Sequence, residues 1–496
     1  MKFIKQTKSI CPECFQVLEA TIFENDGKVY IEKTCPKHGK FQDVYWSDYE
    51  QYQRAERFRY EGEGLRNPRT KTELNCPLDC GICPQHKSHT ALAIIDVTNR
   101  CNLKCPVCFA NAAQAGYVYE PSQEEIRGML ENLRQNDPVP ATALQFSGGE
   151  PTIREDLYEL IRMAKEVGFR HVEVNTNGLR LAQSVDYCRR LKEAGMSTVY
   201  LQFDGVTPEV YKFTRGRDLL NIKKKAVENL REAGIDSVVL VVTLVKGVND
   251  HQLGDIIRFA IQNFDVIRCV NVQPVSLCGR LPEQERAKMR ITIPDFMRLC
   301  EEQTEGKIKA SDFYPVPVVV PVSRAASVLK NKRYVEFTAH PHCGMATYIF
   351  VEKGEIVPIT HYGNIEKFVK TMEKVYEEGS KGHGRRAKLQ LIGALRHIKL
   401  GLVRKYLWPI VKSGDYDALG DLHRKMLMIS SMHFMDPYNF DLERVQRCCI
   451  HYAVPDGRII PFCTMNSIHR PKIEERLGIP IKEWQRKHKI EITAVA

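Results

Sequence analysis

Residues 94–110 read IIDVTNRCNLKCPVCFA, an apolar run that leads directly into three cysteines. Cys101, Cys105 and Cys108 are spaced by four and three residues, so their thiolates can face one centre from a single loop. A [4Fe–4S] cluster normally takes four cysteine ligands, and three would leave one iron open to an added ligand. The alternative is a structural zinc loop with its fourth ligand elsewhere. The uneven spacing after a strand favours the cluster.

The composition indicates a globular protein of several domains. The chain has 496 residues and a formal net charge of +11, and this length predicts roughly two to four domains. No apolar run is long enough to span a membrane, and the N-terminus lacks the apolar block of a signal peptide. Seventeen cysteines in tight groups favour metal binding in a reducing compartment. We therefore expect a cytoplasmic protein whose charge suits nucleic acid, anionic lipid or a polyanionic substrate.

Residues 1–45 predict a small metal-binding module. Cys11 and Cys14 precede a hairpin-like segment, and Cys35 and His38 follow it. Two such knuckles across a hairpin make a tetrahedral site for one metal ion. The pattern resembles a rubredoxin or a zinc ribbon, so the ion is either iron or zinc.

Residues 46–90 are predicted to be a linker that carries a second cluster loop. Cys76, Cys80 and Cys83 repeat the spacing of the central motif, but no strand precedes them. A cluster on this loop needs a fourth ligand from elsewhere in the chain. Cys278, just past the sixth predicted strand, is the candidate.

Residues 91–305 alternate between six apolar runs and helical patterns. This alternation predicts an α/β fold with a parallel sheet, which right-handed crossovers curl. Ligands bind at the carboxyl ends of the strands in such folds, where polar side chains need a partner. The candidate ligand contacts at these ends are Gly148, Gly149, Glu150, Asn177, Gln202, Asp204 and Thr243.

The central cysteine motif and the Gly-Gly-Glu sequence after the second run resemble the signature of the radical S-adenosylmethionine (SAM) family. The resemblance implies a partial (β/α)6 barrel, in which the open iron binds the amino and carboxylate groups of SAM. It implies that the Gly-Gly-Glu residues hold the SAM amino group and that the other strand-end residues line its ribose, carboxylate and adenine. One electron, from a reductase or a ferredoxin, would cleave SAM to a 5′-deoxyadenosyl radical.

Residues 306–496 lack the regular alternation and contain late cysteines. They resemble the auxiliary-cluster hairpins that follow the barrel in many radical SAM enzymes, so an α+β domain with a third [4Fe–4S] cluster is expected. The candidate ligands of that cluster are Cys343, Cys449 and Cys463, and because Cys448 and Cys449 are adjacent and point in different directions, one of the two can serve another site.

Residues 385–411 read RRAKLQLIGALRHIKLGLVRKYLWPIV, a helical pattern without an acidic residue. It is typical of an interfacial helix with its apolar side in lipid and its cations on phosphate, but also of a core-packed helix with a basic surface. A second helix is predicted over 419–432. The candidate contacts to a lipid head group are Arg385, Arg386, Lys388, Arg396 and Lys399.

The order of these features along the whole chain resembles the archaeal tetraether lipid synthases. This resemblance implies an enzyme that joins terminal methyl carbons of isoprenoid chains, with an auxiliary-cluster sulfide holding the first carbon. The implied partners are an archaeal diether or tetraether phospholipid and a membrane surface, to which the protein would bind peripherally.

Two other functions remain open at this stage. One is a radical SAM enzyme that modifies a peptide, as SPASM-type maturases do. The other is a non-enzymatic iron–sulfur or zinc protein that binds nucleic acid. The aromatic residues are not interleaved with basic residues as a nucleic-acid platform requires, so we expect no nucleic-acid partner.

Overall fold

The computed structural model describes residues 1–280, 286–352, 355–399 and 425–488 of the chain. Within these ranges the strands form one sheet of four strands, one of twelve and one of two. None of the helices in the described ranges is both long enough and apolar enough to cross a bilayer. The largest core of buried apolar side chains joins the twelve-stranded sheet to its helices and to the four-stranded sheet.

The N-terminal sheet is an antiparallel meander in which each strand pairs with the next. Asp26 and Gly27 make the second turn with positive φ angles of 49° and 73°, as the Asp-Gly signal predicts. This arrangement confirms the predicted N-terminal module. Its elements are β1 (Lys2–Ile10), β2 (Val17–Asn25), β3 (Lys28–Cys35) and β4 (Gly39–Trp46), followed by helix α1 (Tyr49–Glu56).

The central region alternates between strands and helices, as the sequence pattern predicts. Its strands are β5 (Leu92–Thr98), β6 (Tyr117–Val118), β7 (Ala143–Gly148), β8 (His171–Thr176), β9 (Thr198–Gln202), β10 (Val238–Leu244) and β11 (Ile267–Pro274). Its helices are α2 (Gln123–Arg134), α3 (Leu157–Val167), α4 (Leu179–Gln183), α5 (Val185–Glu193), α6 (Pro208–Arg215), α7 (Leu220–Glu232) and α8 (Leu253–Gln262).

Six of these strands are parallel neighbours in the order β5-β7-β8-β9-β10-β11. Each crossover between neighbours contains a helix, which is the usual way to join parallel strands. The parallel arrangement brings the carboxyl ends of all six strands to one edge of the sheet. The predicted α/β fold with a six-stranded partial barrel is therefore confirmed.

The barrel strands have one apolar face and one polar face. On β8, Val172 and Val174 are buried in the core that the helices cover, so Glu173 and Asn175 point the other way. The hydroxyl of Tyr200 on β9 accepts hydrogen bonds from two side chains of β11, across β10, so this face is concave. We call this concave face the barrel lumen; it carries Gln145, Glu173, Asn175, Tyr200, Asn271 and Gln273.

The C-terminal segment extends both sides of the central sheet. Strand β15 lies parallel to β11, and β16 lies parallel to β5, so the boundaries predicted at 90 and 305 stay a prediction. The helices from residue 286 are α9 (Arg286–Met289), α10 (Ile293–Gln303), α11 (Val320–Lys330), α12 (Ile365–Ser380) and α13 (Gly384–Ala394), with short C-terminal helices at Leu442–Gln446, Phe462–Thr464, Arg470–Leu477 and Ile481–His488. The strands are β12 (Tyr314–Pro315), β13 (Gly344–Glu352), β14 (Glu355–Pro358), β15 (Met426–Met432), β16 (Ile450–Ala453), β17 (Ile459–Pro461) and β18 (Ile479–Pro480).

The helix predicted over 419–432 is wrong where the structure describes it. Residues Met426–Met432 form β15, which pairs with β11 on one side and β13 on the other. Pairing on both sides outweighs the helical preference of a leucine- and methionine-rich run. Residues 419–424 lie outside the described residues. Of the helix predicted over 385–411, α13 accounts for the first part, and residues 400–411 lie outside the described residues.

Candidate cluster and cofactor site

Three thiols converge on the loop after β5. Burial raises the pKa of the Cys101 thiol, and the Glu150 carboxylate and the Cys105 and Cys108 thiols add to this rise. Burial also raises the pKa of Cys105, which the neighbouring Arg215 guanidinium opposes. Clustered thiols of this kind suit a metal cluster, because the cluster binds their thiolate forms. The structure therefore brings the three predicted ligands together.

Two glycines let the end of β7 approach this loop. Gly148 has a φ of +126°, and a Cβ there would lie 2.1 Å from the carbonyl oxygen of Thr98. A Cβ on Gly149 would lie 2.2 Å from the carbonyl oxygen of Arg100. Only glycine permits this approach. The two predicted glycines thus lie directly against the cysteine loop.

The Glu150 carboxylate is buried and ties β7 to the end of β8. It accepts hydrogen bonds from the hydroxyls of Thr152 and Thr176, both at 2.6 Å, and from the backbone N–H of Asn177 at 2.7 Å. Burial raises the pKa of Glu150, whereas these hydrogen bonds lower it. The Asn177 amide in turn donates to Asn102 Oδ1 at 2.7 Å. Glu150 therefore positions Asn177 beside the cysteine loop.

Asp204 is the centre of a buried ion pair just past the end of β9. Arg215 donates to its two carboxylate oxygens at 2.6 and 2.9 Å and to Thr243 Oγ1 at 3.1 Å. Although burial opposes ionisation, this guanidinium holds the pKa of Asp204 below its usual value. Arg215 also donates to the carbonyl oxygen of Val107 at 3.2 Å. The pair therefore joins the cysteine loop to two strand ends.

Lys223 reaches the same edge of the sheet from α7. Its ammonium donates to Gln202 Oε1 at 2.6 Å and to the carbonyl oxygen of Asn177 at 2.5 Å. Burial lowers the pKa of Lys223 to about 7. Sequence reasoning missed Lys223 and Arg215 because both lie on helices without a local motif. Lys223 is the buried member of a run whose next two lysines are exposed.

The second cysteine loop contacts the C-terminal segment. Cys80 Sγ lies 3.0 Å from the Thr464 hydroxyl. Burial raises the pKa of Cys80, and the Cys76, Cys83 and Cys448 thiols add to this rise while Thr464 opposes it. The three predicted ligands of this loop are thus brought together, and Cys448 joins them.

The late cysteines also lie close to one another. Burial raises the pKa of Cys463, and the Cys448 and Cys343 thiols add to it. Burial likewise raises the pKa of Cys449 to about 12, with a further contribution from Cys343. Arg444 donates to Cys343 Sγ at 3.5 Å, which supplies a cation beside these thiols. The four predicted late cysteines therefore form one group.

Cys278 lies beside the first cysteine loop. Its neighbour Gly279 packs so closely on the Cys108 carbonyl that a Cβ would lie 2.4 Å from the oxygen. Arg280 forms an isolated β-bridge with Cys108. That Cys278 completes the second loop stays a prediction, and Cys448, whose thiol adds to the pKa of Cys80, is a second candidate.

All four predicted ligands of the N-terminal module lie within 4.8 Å of one another. His38 Nδ1 is 3.4 Å from Cys11 Sγ and 3.5 Å from Cys35 Sγ, and the Sγ atoms of Cys14 and Cys35 are 3.9 Å apart. Although burial opposes it, the Lys37 backbone N–H lowers the pKa of Cys35 to about 6. These separations suit a tetrahedral ion with metal–ligand distances of about 2.0–2.3 Å.

A second group of potential metal ligands surrounds an arginine side chain, in the place where a metal ion would lie. Glu56, His340 and His342 offer ligand atoms within 4.8 Å of one another. Arg59 donates to both carboxylate oxygens of Glu56 at 2.9 Å and faces His340 Nε2 at 3.2 Å. A guanidinium at the centre of this group neutralises the carboxylate. The group is therefore an ion-pair network.

The predicted head-group residues lie on an exposed surface of α13 and the turn after it. Leu389 and Ile392 are also exposed there, by 68% and 65%. Within the described ranges, none of these side chains contacts a cysteine loop. The five predicted head-group residues on this exposed surface are Arg385, Arg386, Lys388, Arg396 and Lys399.

Comparison with known families agrees with both metal-binding regions. The Radical SAM superfamily matches residues 95–260, which contain the first cysteine loop and the ends of the next four barrel strands. The HMPTM N-terminal zinc ribbon domain matches residues 3–47. The site residues of both regions lie within these matches.

One relative matches the whole chain. The 7,8-dihydro-6-hydroxymethylpterin dimethyltransferase of Methanocaldococcus jannaschii is 50% identical over 499 residues, covering 98% of each chain. A probable GTP 3′,8-cyclase of Methanothermobacter marburgensis is 30% identical over 185 residues, covering 37% of this chain and 58% of its own. The crystal structure of Streptococcus suis SuiB bound to precursor peptide SuiA has a TM-score of 0.36 at 20% identity, covering 44% of this chain and 46% of that chain. A likeness at this TM-score carries no argument about function.

The full-length relative corrects the predicted partners. That enzyme is named for a pterin, so the predicted archaeal lipid and membrane surface are wrong. The basic, apolar pattern of residues 385–411 is typical of an interfacial helix and equally of a core-packed helix with a basic surface, so it does not by itself indicate a lipid. The match over the full length, with the radical SAM cysteines and the zinc ribbon in place, shows that the chain belongs to the radical SAM superfamily, in the family of this dimethyltransferase, as an enzyme of SAM and a [4Fe–4S] cluster.

Proposed function

We propose that this protein is a radical SAM methyltransferase that acts on a reduced pterin of the 7,8-dihydro-6-hydroxymethylpterin type. The observation that carries the proposal is 50% identity over 98% of both chains with an enzyme of that name. Identity of this extent covers the zinc ribbon, both cysteine loops, the barrel and the C-terminal segment together.

The chemistry of the barrel lumen supports a polar substrate. Gln145 Nε2 donates to Glu173 Oε2 at 2.9 Å, Asn175 Nδ2 donates to Ser147 Oγ at 3.2 Å, and Gln273 Nε2 donates to the Tyr200 hydroxyl at 3.1 Å. A heteroaromatic ring with amino, oxo and ring-nitrogen groups finds donors and acceptors in such a surface. An isoprenoid chain offers no donor or acceptor to the remaining hydrogen-bonding capacity of these groups and would withdraw them from water, which is costly.

The first cysteine loop and the strand ends provide for the cofactor. Cys101, Cys105 and Cys108 would hold the [4Fe–4S] cluster, which supplies the electron for reductive cleavage of SAM. The backbone of Gly148 and Gly149 and the side chains around Asp204 would hold SAM itself. Of the groups on this edge, the Lys223 ammonium and the Arg215 guanidinium are the cations that a carboxylate needs.

The other cysteines would hold further clusters. A second cluster would bind to Cys76, Cys80, Cys83 and Cys448. A third would bind within the late group, to Cys343, Cys449 and Cys463, with its fourth ligand from another residue. Both proposed sites involve the C-terminal segment of the chain. The contact between Cys80 and Thr464 links the second loop to this segment.

The test of this function is the pterin content of cells that express the protein. Expression in a heterologous, anaerobically grown host supplies reductant and methyl donors. We expect mass spectrometry of the extract to detect pterins with one or two added methyl groups, which a host carrying Cys105→Ala does not make. The purified protein is also incubated with SAM, reductant and the pterin. If it cleaves SAM but neither the cells nor this incubation yield a methylated pterin, the proposed substrate is wrong.

A further inference from the structure

Glu173 lies in the barrel lumen on the middle of β8. Its neighbours Val172 and Val174 are 0% and 1% exposed in the core that faces the helices, so strand alternation directs Glu173 to the opposite side. The Glu173 side chain is 15% exposed. It is therefore reachable from the lumen but largely withdrawn from bulk water.

The Glu173 carboxylate contacts one amide and one imidazole. Gln145 Nε2 donates to Oε2 and His171 Nε2 faces Oε1, each at 2.9 Å. Among the described residues, no lysine or arginine forms an ion pair with it. The other carboxylates around the lumen differ in this respect, because Asp204 is paired with Arg215 and Asp96 is paired with Arg470.

A partly buried carboxylate in this state has capacity for further donors. Each carboxylate oxygen can accept a second hydrogen bond, and a largely buried charge is stable only with enough partners. Two adjacent N–H groups of one ligand match the two oxygens of a carboxylate. The 2-amino group and N3–H of a pterin are such a pair on one edge of the pyrimidine ring.

The height of Glu173 in the lumen suits this role. It precedes Asn177 by four residues, which is about 13 Å along a strand. A ring held by its pyrimidine edge at Glu173 therefore points its opposite edge towards the strand ends, where the first cysteine loop lies. The amide groups of Gln145 and Gln273 and the Tyr200 hydroxyl lie around the same lumen.

We infer that Glu173 is the anchor for the amino-pyrimidine edge of the pterin, an inference that rests on the proposed function. His171 and Gln145 hold the carboxylate in place from either side. Glu173 is thus a specificity-determining residue that distinguishes a 2-amino pteridine from a 2-oxo pteridine, whose carbonyl oxygen would face the carboxylate.

The test measures ligand binding without turnover. The anaerobic, fully reconstituted enzyme is dialysed to equilibrium with SAM, without reductant, against 7,8-dihydro-6-hydroxymethylpterin or its 2-oxo analogue. We expect the wild type to prefer the pterin by at least about tenfold, and Glu173→Gln to lose about 10–100-fold in pterin affinity together with this preference. The iron content of each protein is measured alongside, so that only fully loaded proteins are compared.

Two controls separate the possible failures. Glu166→Gln changes a side chain that is 64% exposed on α3, outside the barrel, and should bind both ligands like the wild type. Glu173→Asp keeps the charge and should keep the preference for the pterin.

If the wild type cleaves SAM but binds no pterin, the proposed function fails and the inference fails with it. If the wild type binds the pterin and Glu173→Gln binds it equally well, only the inference is overturned. A wild type that binds the two ligands within about twofold of each other also overturns it, without any variant.

Discussion

The two CxxxCxxC loops of this protein share a spacing but differ in what surrounds them. The Cys101–Cys108 loop follows β5 and lies against the ends of β7 and β9. The Cys76–Cys83 loop follows no strand and is bound to the C-terminal segment, where the backbone N–H of Ile82 donates to the carbonyl oxygen of Ile459 at 2.8 Å. One loop therefore belongs to the barrel, and the other belongs to the elements packed beside it.

This difference indicates which loop can bind SAM. SAM carries an amino and a carboxylate group, so its site needs both acceptors and cations within reach of the open iron. The first loop has the Gly148–Gly149 backbone, Lys223 and Arg215 beside it. The second loop has the Asp79 carboxylate, the His86 imidazole and the Thr464 hydroxyl beside its thiols. The spacing predicts a cluster loop, and the surroundings indicate which role that loop can have.

The largest expected effect comes from removing a ligand of the first loop. Cys105→Ala should lower the rate of deoxyadenosine formation by more than ~100-fold. Loss of a residue that only supports a metal ligand already costs up to about that much, and Cys105 is proposed to be a ligand itself. The assay is anaerobic, with SAM and dithionite. Cys188→Ala is the control, because Cys188 is a fully buried thiol on α5 with no thiol partner in the described ranges. A Cys105→Ala protein that still cleaves SAM would contradict the assignment.

A ligand of the second loop should have a different effect. Cys80→Ala should lower the iron content by about four atoms per chain and stop pterin methylation, while deoxyadenosine still forms at the wild-type rate. Iron and sulfide analysis and the SAM-cleavage assay check these outcomes. If this variant loses SAM cleavage while spectroscopy shows the first cluster intact, the second loop is also needed for SAM cleavage, and the two loops do not have separate roles.

The ion pair beside the first loop should matter for stability as well as for activity. Arg215→Met leaves Asp204 buried without its guanidinium, so the free energy of unfolding should fall by about 3–5 kcal/mol. Denaturant unfolding of the zinc-loaded protein measures this change. Arg189→Met is the control, because its surface pair with Glu232 is about half exposed. An equal fall in both variants would contradict the role given to Arg215.

The smallest expected effect concerns the contact that anchors the second loop. Thr464→Val removes the hydroxyl that lies 3.0 Å from Cys80 Sγ and should cost about 1 kcal/mol of stability. Because this hydroxyl faces a proposed cluster ligand, the reduction potential of the second cluster should shift while those of the other clusters stay constant. A potentiometric titration followed by electron paramagnetic resonance separates the clusters. A shift confined to the SAM-binding cluster would refute the anchoring.

The sequence predicts the barrel because its signals are local. Six apolar runs with helices between them leave few alternatives to a parallel sheet, and Gly148 and Gly149 can be located because only glycine permits their close approach. The candidate metal ligands of the N-terminal module are predictable for the same reason, since Cys11, Cys14, Cys35 and His38 follow a fixed spacing. The expected head-group helix, by contrast, rested on composition, which two different environments satisfy equally.

The rest of the site depends on long-range packing that no local pattern reveals. Arg215 and Lys223 reach the strand ends from helices, and their sequence neighbours look like ordinary surface positions. Cys448 approaches the second loop because β16 pairs with β5, a contact between segments more than 350 residues apart. The helix predicted over 419–432 is wrong for the same reason. Strand β15 forms because it pairs with β11 and β13, which are distant in sequence.

The most direct test is the response of each cluster to SAM. Two proteins are compared, one with Cys76, Cys80 and Cys83 replaced by alanine and one with Cys101, Cys105 and Cys108 replaced. The account predicts that SAM changes the electron paramagnetic resonance spectrum of the reduced clusters in the first protein and leaves the spectrum of the second protein unchanged. A SAM-dependent change in the second protein alone would contradict it.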